Sequence, residues 1–369
     1  MMGRGRVTLL SRVPFEPEEV DRYYGTSLCG HPIENIVVQS PILEWLAAKG
    51  VPVALARFHH VMAAGKRRAG EFHLTCSACN ELDLGVPAID YVHYPWNAYP
   101  RPDAPPQWGE NPVLRRILML YNWGCCRISG FSSNRCHNLT LANSTWTREL
   151  YARVYPDKPC FVLNPPALAP VLEDAPENRK ERFLSIGRVA ASKEWEKLID
   201  IVEALRRRGH EVGLTLAGSR DDPHYENLVR QRAEKAGEWV ELRLDQTREQ
   251  LQNLLRTHRY GLHGMVDEHF GMAVSELMLG GCLTVVPNSG GQVEIVADER
   301  LRYDHPTDAV EKIDRFLSSS QLQDELWQGQ KEHRKRFTRE AFQHSFEEIV
   351  DNCLEQGVEA VIQSKLRET

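Results

Sequence analysis

Two glutamates and a glycine carry the first chemical suggestion. In GLHGMVDEHFGMAVSELMLGGCLTVVPNSGG (261–291), Glu268 falls in a polar loop, Gly271 follows it, and Glu276 sits eight residues on inside an apolar helical run. Carboxylates accept hydrogen bonds from hydroxyl groups, and the unpaired N–H groups at a helix start donate to anions. Gly271 lets a ligand approach the backbone because no Cβ stands in the way. This grouping suits a polyhydroxylated ligand that carries phosphate. Two glutamates at this spacing also fit a solvated loop and a surface helix, so the context has to decide. Arg188 and Lys193, in SIGRVAASKEW, are cations placed to meet a diphosphate, or simply to end a strand and begin a helix. His93 in YVHYP and His263 ahead of the glutamate loop are candidate hydrogen-bonding or proton-handling groups; packing beside Tyr91 and Tyr94 is the alternative for His93.

The chain that must position these groups has 369 residues, with 45 Lys+Arg against 51 Asp+Glu and a formal charge of −6. That length predicts two domains. The acidic balance argues against a nucleic-acid binder, which needs a basic face. No stretch approaches the ~20 apolar residues of a spanning helix, and the N-terminal apolar run is too short for a secretory signal. A cytoplasmic protein is therefore expected, with Lys66-Arg67-Arg68 able to meet anionic head groups at the inner face of a membrane. Nine cysteines include a CxxC at Cys76 and Cys79, but Cys125, Cys126 and Cys136 do not form a matching second pair. Reduced thiols are expected in preference to zinc or a disulfide framework. The sequons at Asn138 and Asn143 matter only in a secretory compartment.

The second half reads clearly. RFLSIGR is a strand; a helix follows with Ser192 as its expected N-cap and Trp195, Leu198, Ile199, Val202 and Leu205 at helical spacing. EVGLTLAGS, WVELRL, YGLHGM and CLTVVP read as strands. Pro223–Gly237, Thr247–Thr257 and Met272–Leu279 read as the helices between them. Strand and helix alternating with short connectors predict an α/β fold with doubly wound parallel sheets. The first half is more broken: NIVVQSPILEWLAAKG, PAIDYVHYP and LTLAN are α/β-like, separated by polar stretches such as NAYPRPDAPPQWGENP. The Pro-, Ala- and Glu-rich segment 164–180 is the expected linker. The predicted organisation is a domain over 1–165, a second over 166–338, and a helical tail over 339–369 packing back toward the first, with Phe342, Phe346, Ile349 and Val350 on one face.

At the level of motifs, EHFGMAVSELMLGGCLTVVPNSGG resembles the nucleotide-sugar signature of the retaining glycosyltransferase family 4, whose fold is GT-B. GLHGMVDEHFGM is particularly similar to its α-1,2-mannosyltransferase branch, which extends dolichol-linked oligosaccharide, and to prokaryotic relatives. ACNELDLGVPAIDYVHYP, ANSTWT and VLNPP occur in the expected order, so the resemblance runs from about Val7 to about Val350. It implies two Rossmann-like domains facing a cleft and a metal-independent transferase that needs no cofactor. The implied partners are a nucleoside-diphosphate hexose donor, GDP-mannose favoured, and a glycan or lipid-linked acceptor.

By the same resemblance, Glu268 touches the donor sugar and Glu276 holds the ribose hydroxyls. His269, Phe270, Gly271 and Met272 present N–H groups to sugar and phosphate. Arg188 and Lys193 neutralise the departing diphosphate, beside Gly187; His263 lines the donor pocket, and His93 serves the active site from the N-terminal domain. Asn143, Ser144 and Trp146 are expected to be positional. The family's early strand followed by a glycine-rich loop has no counterpart here, so the first β-α unit is expected either to be absent or to lie upstream of the chosen start. That leaves one alternative reading, a catalytically impaired nucleotide-sugar-binding or scaffold subunit of the same fold. A sugar-nucleotide epimerase of this fold is disfavoured by the full set of Arg188, Lys193, Glu268 and Glu276.

Overall fold

The computed structural model describes residues 5–95, 111–132, 137–173 and 179–368. Most of the proline-rich stretch 97–112, the middle of the expected linker (174–178) and Cys136 lie outside the described residues. The chain divides into two compact units. The first comprises Met1–Ala142, Arg148–Val162 and Ser345–Thr369, and the second Asn143–Thr147 and Leu163–His344. The helix Arg339–Gln356 therefore starts in the second unit and ends in the first.

In the first unit, β1 (Val7–Ser11) pairs in parallel with β2 (Ile33–Val37). A four-stranded parallel sheet follows in the order β3 (Cys76–Ser77), β4 (Ile89–Val92), β5 (Leu139–Ala142), β6 (Cys160–Val162). Every residue of β5 is buried, as expected for a parallel strand covered on both faces. Asn138, the first sequon asparagine, is buried at the entry to β5. Its Nδ2 donates to Asp90 Oδ2 at 2.8 Å and to the Leu82 carbonyl at 2.9 Å, so its amide is part of the core. Asn143 is buried as well. Val7 opens β1 as a strand, and the residues between it and the Pro17–Tyr24 helix contain no glycine.

The second unit is one six-stranded parallel sheet. Its order is β12 (Arg302–Tyr303), β11 (Leu283–Pro287), β10 (His258–Leu262), β7 (Lys180–Ile186), β8 (Gly213–Gly218), β9 (Val240–Leu244). The chain runs from β7 outward to β9, then returns to the other side of β7 to lay down β10. The order therefore reverses between β7 and β10, and in open parallel sheets the crevice beyond the carboxyl ends of those two strands is where ligands bind. The β7 exit carries Gly187 to Lys193, and the β10 exit carries His263 to Met272. Gly218 lets the exits of β7 and β8 close together: a Cβ there would lie 1.6 Å from the Gly187 carbonyl oxygen.

The helix after β7 starts later than its sequence suggests. Ser192 lies in a 3₁₀ turn, Ala191–Lys193, and the helix proper is Trp195–Arg207, entered through Glu194 at φ 52°. Ser192 is thus not the N-cap. The Trp195 N–H donates instead to Tyr225 Oη at 2.8 Å, so a tertiary partner takes over the capping role. The buried stripe Trp195, Leu198, Ile199, Val202, Leu205 packs into the core as its spacing requires.

Candidate functional site

The loop that leaves β10 carries His263 to Gly271. Ser289–Gly291, the turn after β11, is laced against it. The Gly291 N–H donates to the Glu268 carbonyl at 2.7 Å, and Ser289 Oγ accepts from the Asp267 N–H at 2.9 Å. The contact is tight enough to require glycine, since a Cβ on Gly291 would lie 2.4 Å from the His269 carbonyl oxygen. Ser144 Oγ donates to the His269 carbonyl at 2.5 Å, and Trp146 stacks on the His269 ring with planes 10° apart. Phe270 turns inward, 5.9 Å from the Phe337 ring, and anchors the loop in the core. Gly271, at φ 111°, then starts the Met272–Leu279 helix without a side-chain cap. No side chain caps its first N–H groups, and the helix dipole puts positive charge at that end.

Three of the expected groups meet at one oxygen. Lys193 Nζ donates to Glu268 Oε2 at 2.6 Å, and His263 Nε2 lies 3.2 Å from the same atom. His263 is buried, which lowers its pKa, with Glu268 pulling the other way; it is neutral and donates through Nε2–H. Burial acts to raise the Glu268 pKa, but the His263 hydrogen bond and the Lys193 charge outweigh it and hold the carboxyl far below the usual carboxylate range. Glu268 is therefore ionised at neutral pH, with Oε2 occupied by protein and Oε1 making no protein hydrogen bond among the described residues. The Lys193 stem lies along Gly187, where a Cβ would come within 3.3 Å of Lys193 Cδ.

A family model described as glycosyl transferases group 1 matches residues 173–343, the stretch that holds the β7 and β10 exits and both glutamates. Those residues are a glycosyltransferase group 1 domain. The chain is similar to the GDP-Man:Man(3)GlcNAc(2)-PP-Dol alpha-1,2-mannosyltransferase of Mus musculus, 27% identical over 229 residues that cover 54% of this chain and 46% of that protein. It is 25% identical over 267 residues to the Neurospora crassa protein of the same name, covering 63% and 48%. The chain thus spans about half the length of the curated relatives it matches. Among solved structures it resembles WaaG, a glycosyltransferase involved in lipopolysaccharide biosynthesis (TM-score 0.63, 14% identity, 95% of this chain and 100% of that one). It also resembles Anabaena Alr3699/HepE in complex with UDP and glucose (TM-score 0.60, 15% identity, 87% and 86%). At such identities the likeness speaks for the fold, which is GT-B.

Not every expected residue joins the cluster in the group 1 domain. Arg188 leaves it for Asp221, Nη1 to Oδ2 2.6 Å, on a side chain 67% exposed. An exposed pair of this kind is worth about 0–1 kcal/mol and is readily exchanged for a stronger anion. Met272 is exposed at the helix start. His93 belongs to the first unit. Its N–H donates to Asn80 Oδ1 at 2.8 Å, its Nε2 lies 3.1 Å from the Ala78 carbonyl, and Tyr91 meets its ring edge-on. Sequence reasoning missed Gln292, whose Nε2 ties the Met265 carbonyl (2.9 Å) to the Pro287 carbonyl (3.2 Å) and so fastens the two loops. Its position directly after Ser289-Gly290-Gly291 was the available signal. Cys76 and Cys79 are free thiols, and among the described residues no group of three or more His, Cys, Asp or Glu could hold a metal ion.

Glu276 differs from Glu268 in having no ion-pair partner among the described residues. Its carboxyl makes no hydrogen bond to protein among the described residues, and burial pushes its pKa up to about 7, with distant Arg248 opposing weakly. A raised carboxylate pKa means that the folded state loses stability as pH rises from the ordinary value of 4.5 through 7. Hydroxyl donors from a ligand would relieve that penalty. If ribose hydroxyls are those donors, nucleotide affinity rises by up to about tenfold between pH 6 and pH 8 and a proton is released on binding. Calorimetry in buffers of different ionisation enthalpy reads both effects, and Glu276→Gln is expected to abolish both while raising the melting temperature of the free protein at pH 8.

Proposed function

We propose that this protein is a retaining glycosyltransferase of family 4 that moves a hexose, mannose favoured, from GDP-mannose to a hydroxyl of a lipid-linked glycan. The observation that carries the reading is the Lys193–Glu268–His263 group beside an uncapped helix start and an unpartnered Glu276, inside a group 1 domain. Glu268 presents its open Oε1 to the hydroxyls of the donor sugar and fixes the ring. Glu276 accepts from the ribose. The Met272–Leu279 helix start donates to the phosphates. As the bond from the anomeric carbon to phosphate oxygen breaks, negative charge grows on the diphosphate. Lys193 already stands in the site, and Arg188 swings from Asp221 to meet that charge, so cationic side chains serve in place of a divalent ion. The acceptor hydroxyl attacks from the face the diphosphate leaves, gives its proton to the departing phosphate oxygen, and the anomeric configuration is retained. No cofactor enters this scheme. A lipid-linked acceptor places the protein at the cytoplasmic face of a membrane.

Labelled GDP-mannose with a detergent-solubilised, lipid-linked mannosyl acceptor tests the reading, with NMR of the product assigning the new anomeric centre. An α-linked product is expected. Binding without turnover would point to the impaired, binding-only alternative, and a β-linked product would overturn retention. In the same assay Arg188→Ala is expected to lower kcat by about 10²-fold with little change in donor KM, because it acts on charge present only as the bond breaks. Full activity in Arg188→Ala would remove Arg188 from the mechanism.

A further inference from the structure

The helix Pro112–Ser129 of the first unit is apolar on the side turned to solvent. Its inward stripe, Leu114, Leu118, Tyr121, Cys125 and Ser129, recurs at three- and four-residue spacing and packs toward the helix Ala54–Arg68. Tyr121 Oη secures the contact, donating to the Pro52 carbonyl and accepting from the Ala56 N–H, both at 3.2 Å. An ordinary surface helix would turn polar groups outward. Here Ile117 (56% exposed), Leu120 (68%), Trp123 (63%) and Ile128 (71%) point out instead. The helix is well bounded, capped by Asn111 Oδ1 and closed by Gly130 at φ 64°. Its only charges are Arg115, Arg116 and Arg127, in a chain whose formal charge is −6. At about 100° per residue, Arg116 and Arg127 fall on the same outward arc as Leu120, one toward each end. The short helix Pro41–Ala48 repeats the pattern: it has no buried residue and exposes Ile42 and Trp45.

We propose that this face of Pro112–Ser129 docks on an anionic lipid surface. An apolar arc carrying an indole, with the Arg127 guanidinium 5.7 Å from that ring's centroid and no carboxylate in the helix, is the composition of a helix lying in a membrane interface. A second copy of the chain fits less well, because a two-fold contact through this arc would set arginines against arginines. In the basic cluster singled out in the sequence, Lys66 is paired with Asp83 at 2.9 Å and Arg68 with Glu71 at 2.9 Å. The proposal deepens the reading of a lipid-linked acceptor, and rests on it only for the presence of a membrane.

Flotation of the full chain with phosphatidylcholine vesicles, with and without phosphatidylglycerol, tests it. The protein is expected to float with the anionic vesicles and to stay behind with the neutral ones. Leu120→Glu/Trp123→Glu, at exposed positions, is expected to cut the bound fraction about tenfold or more while leaving the melting temperature and transfer to a detergent-solubilised acceptor unchanged. Arg116→Gln/Arg127→Gln is expected to remove the preference for anionic lipid. Failure of the wild type to float, equal flotation of the Glu double variant, or a wild-type dimer that the double variant converts to a monomer would each overturn the proposal. Flotation without transfer would sink the transferase reading and leave the docking face standing; transfer without flotation would do the reverse.

Discussion

Glu268→Gln is expected to lower mannosyl transfer by about 10²–10³-fold, the scale of removing one preorganised charged group from a reaction centre. The substitution keeps the shape of the side chain and one acceptor oxygen but removes the charge. Two consequences follow from the geometry. On the proposed reading, Oε1 no longer accepts strongly from the sugar hydroxyls, so the ring is held less firmly at the reacting carbon. Lys193, largely buried and ion-paired at 2.6 Å in the wild type, is left without its counter-charge. A purely structural ion pair would show only the second effect, a lower melting temperature. Initial rates measured well below the melting temperature separate the two, and transfer within about threefold of wild type would leave Glu268 a structural residue. The pH dependence carries the same sign. The Glu268 carboxyl is held below its ordinary value in the fold, so its stabilising contribution is complete above pH 4.5 and is lost only on acidification.

Gly290→Ala is expected to be strongly damaging for the addition of a single methyl. Gly290 has φ +71°, and a Cβ there would lie 2.4 Å from the Glu268 carbonyl oxygen and 2.6 Å from the Glu268 nitrogen. Both neighbours are backbone, so the relief is a shift of the loop that holds Glu268. A left-handed conformation costs a non-glycine residue about 1–2 kcal/mol before any clash is counted. A destabilisation of about 2–4 kcal/mol and a donor affinity at least tenfold weaker are expected, read by denaturant unfolding and by calorimetry. Gly329→Ala is the control. It lies inside the helix Ser320–His333 with nothing within 4 Å of the added carbon, and is expected to stabilise by roughly 0.5–1 kcal/mol. Equal stability and affinity in Gly290→Ala and wild type would contradict the laced-loop description.

The alternation of strand and helix in the second unit was legible because each element carries its own period and its own stop, as in the Trp195–Leu205 stripe and the Gly237 end of the Pro223–Ala236 helix. Glu268 and Glu276 were legible as a pair because they flank one helix start. The bond between Lys193 and Glu268 was not, since 75 residues separate them and only the return of the chain to β10 beside β7 brings them together. The failed Ser192 cap has a similar cause: Tyr225, from the next helix, supplies the partner that local sequence was asked to supply. The Pro112–Ser129 helix went unread because it adjoins a proline-rich stretch and is apolar on both faces, which blurs its period. The pairing of Lys66 with Asp83 was not legible, since 17 residues separate them, whereas Glu71, three residues after Arg68, was a local signal.

The central claim, a nucleotide-sugar site built on Glu268, Lys193 and Glu276, is tested most directly by the melting temperature of the full chain with GDP, UDP, ADP and their sugar conjugates. A ligand that binds only the folded state adds about 2.7 kcal/mol at about 100 times its Kd. A selective upward shift with GDP and GDP-mannose, reduced in Glu276→Gln, is the predicted result. No shift with any nucleotide, or a GDP shift that survives undiminished in both Glu276→Gln and Glu268→Gln, would contradict the account.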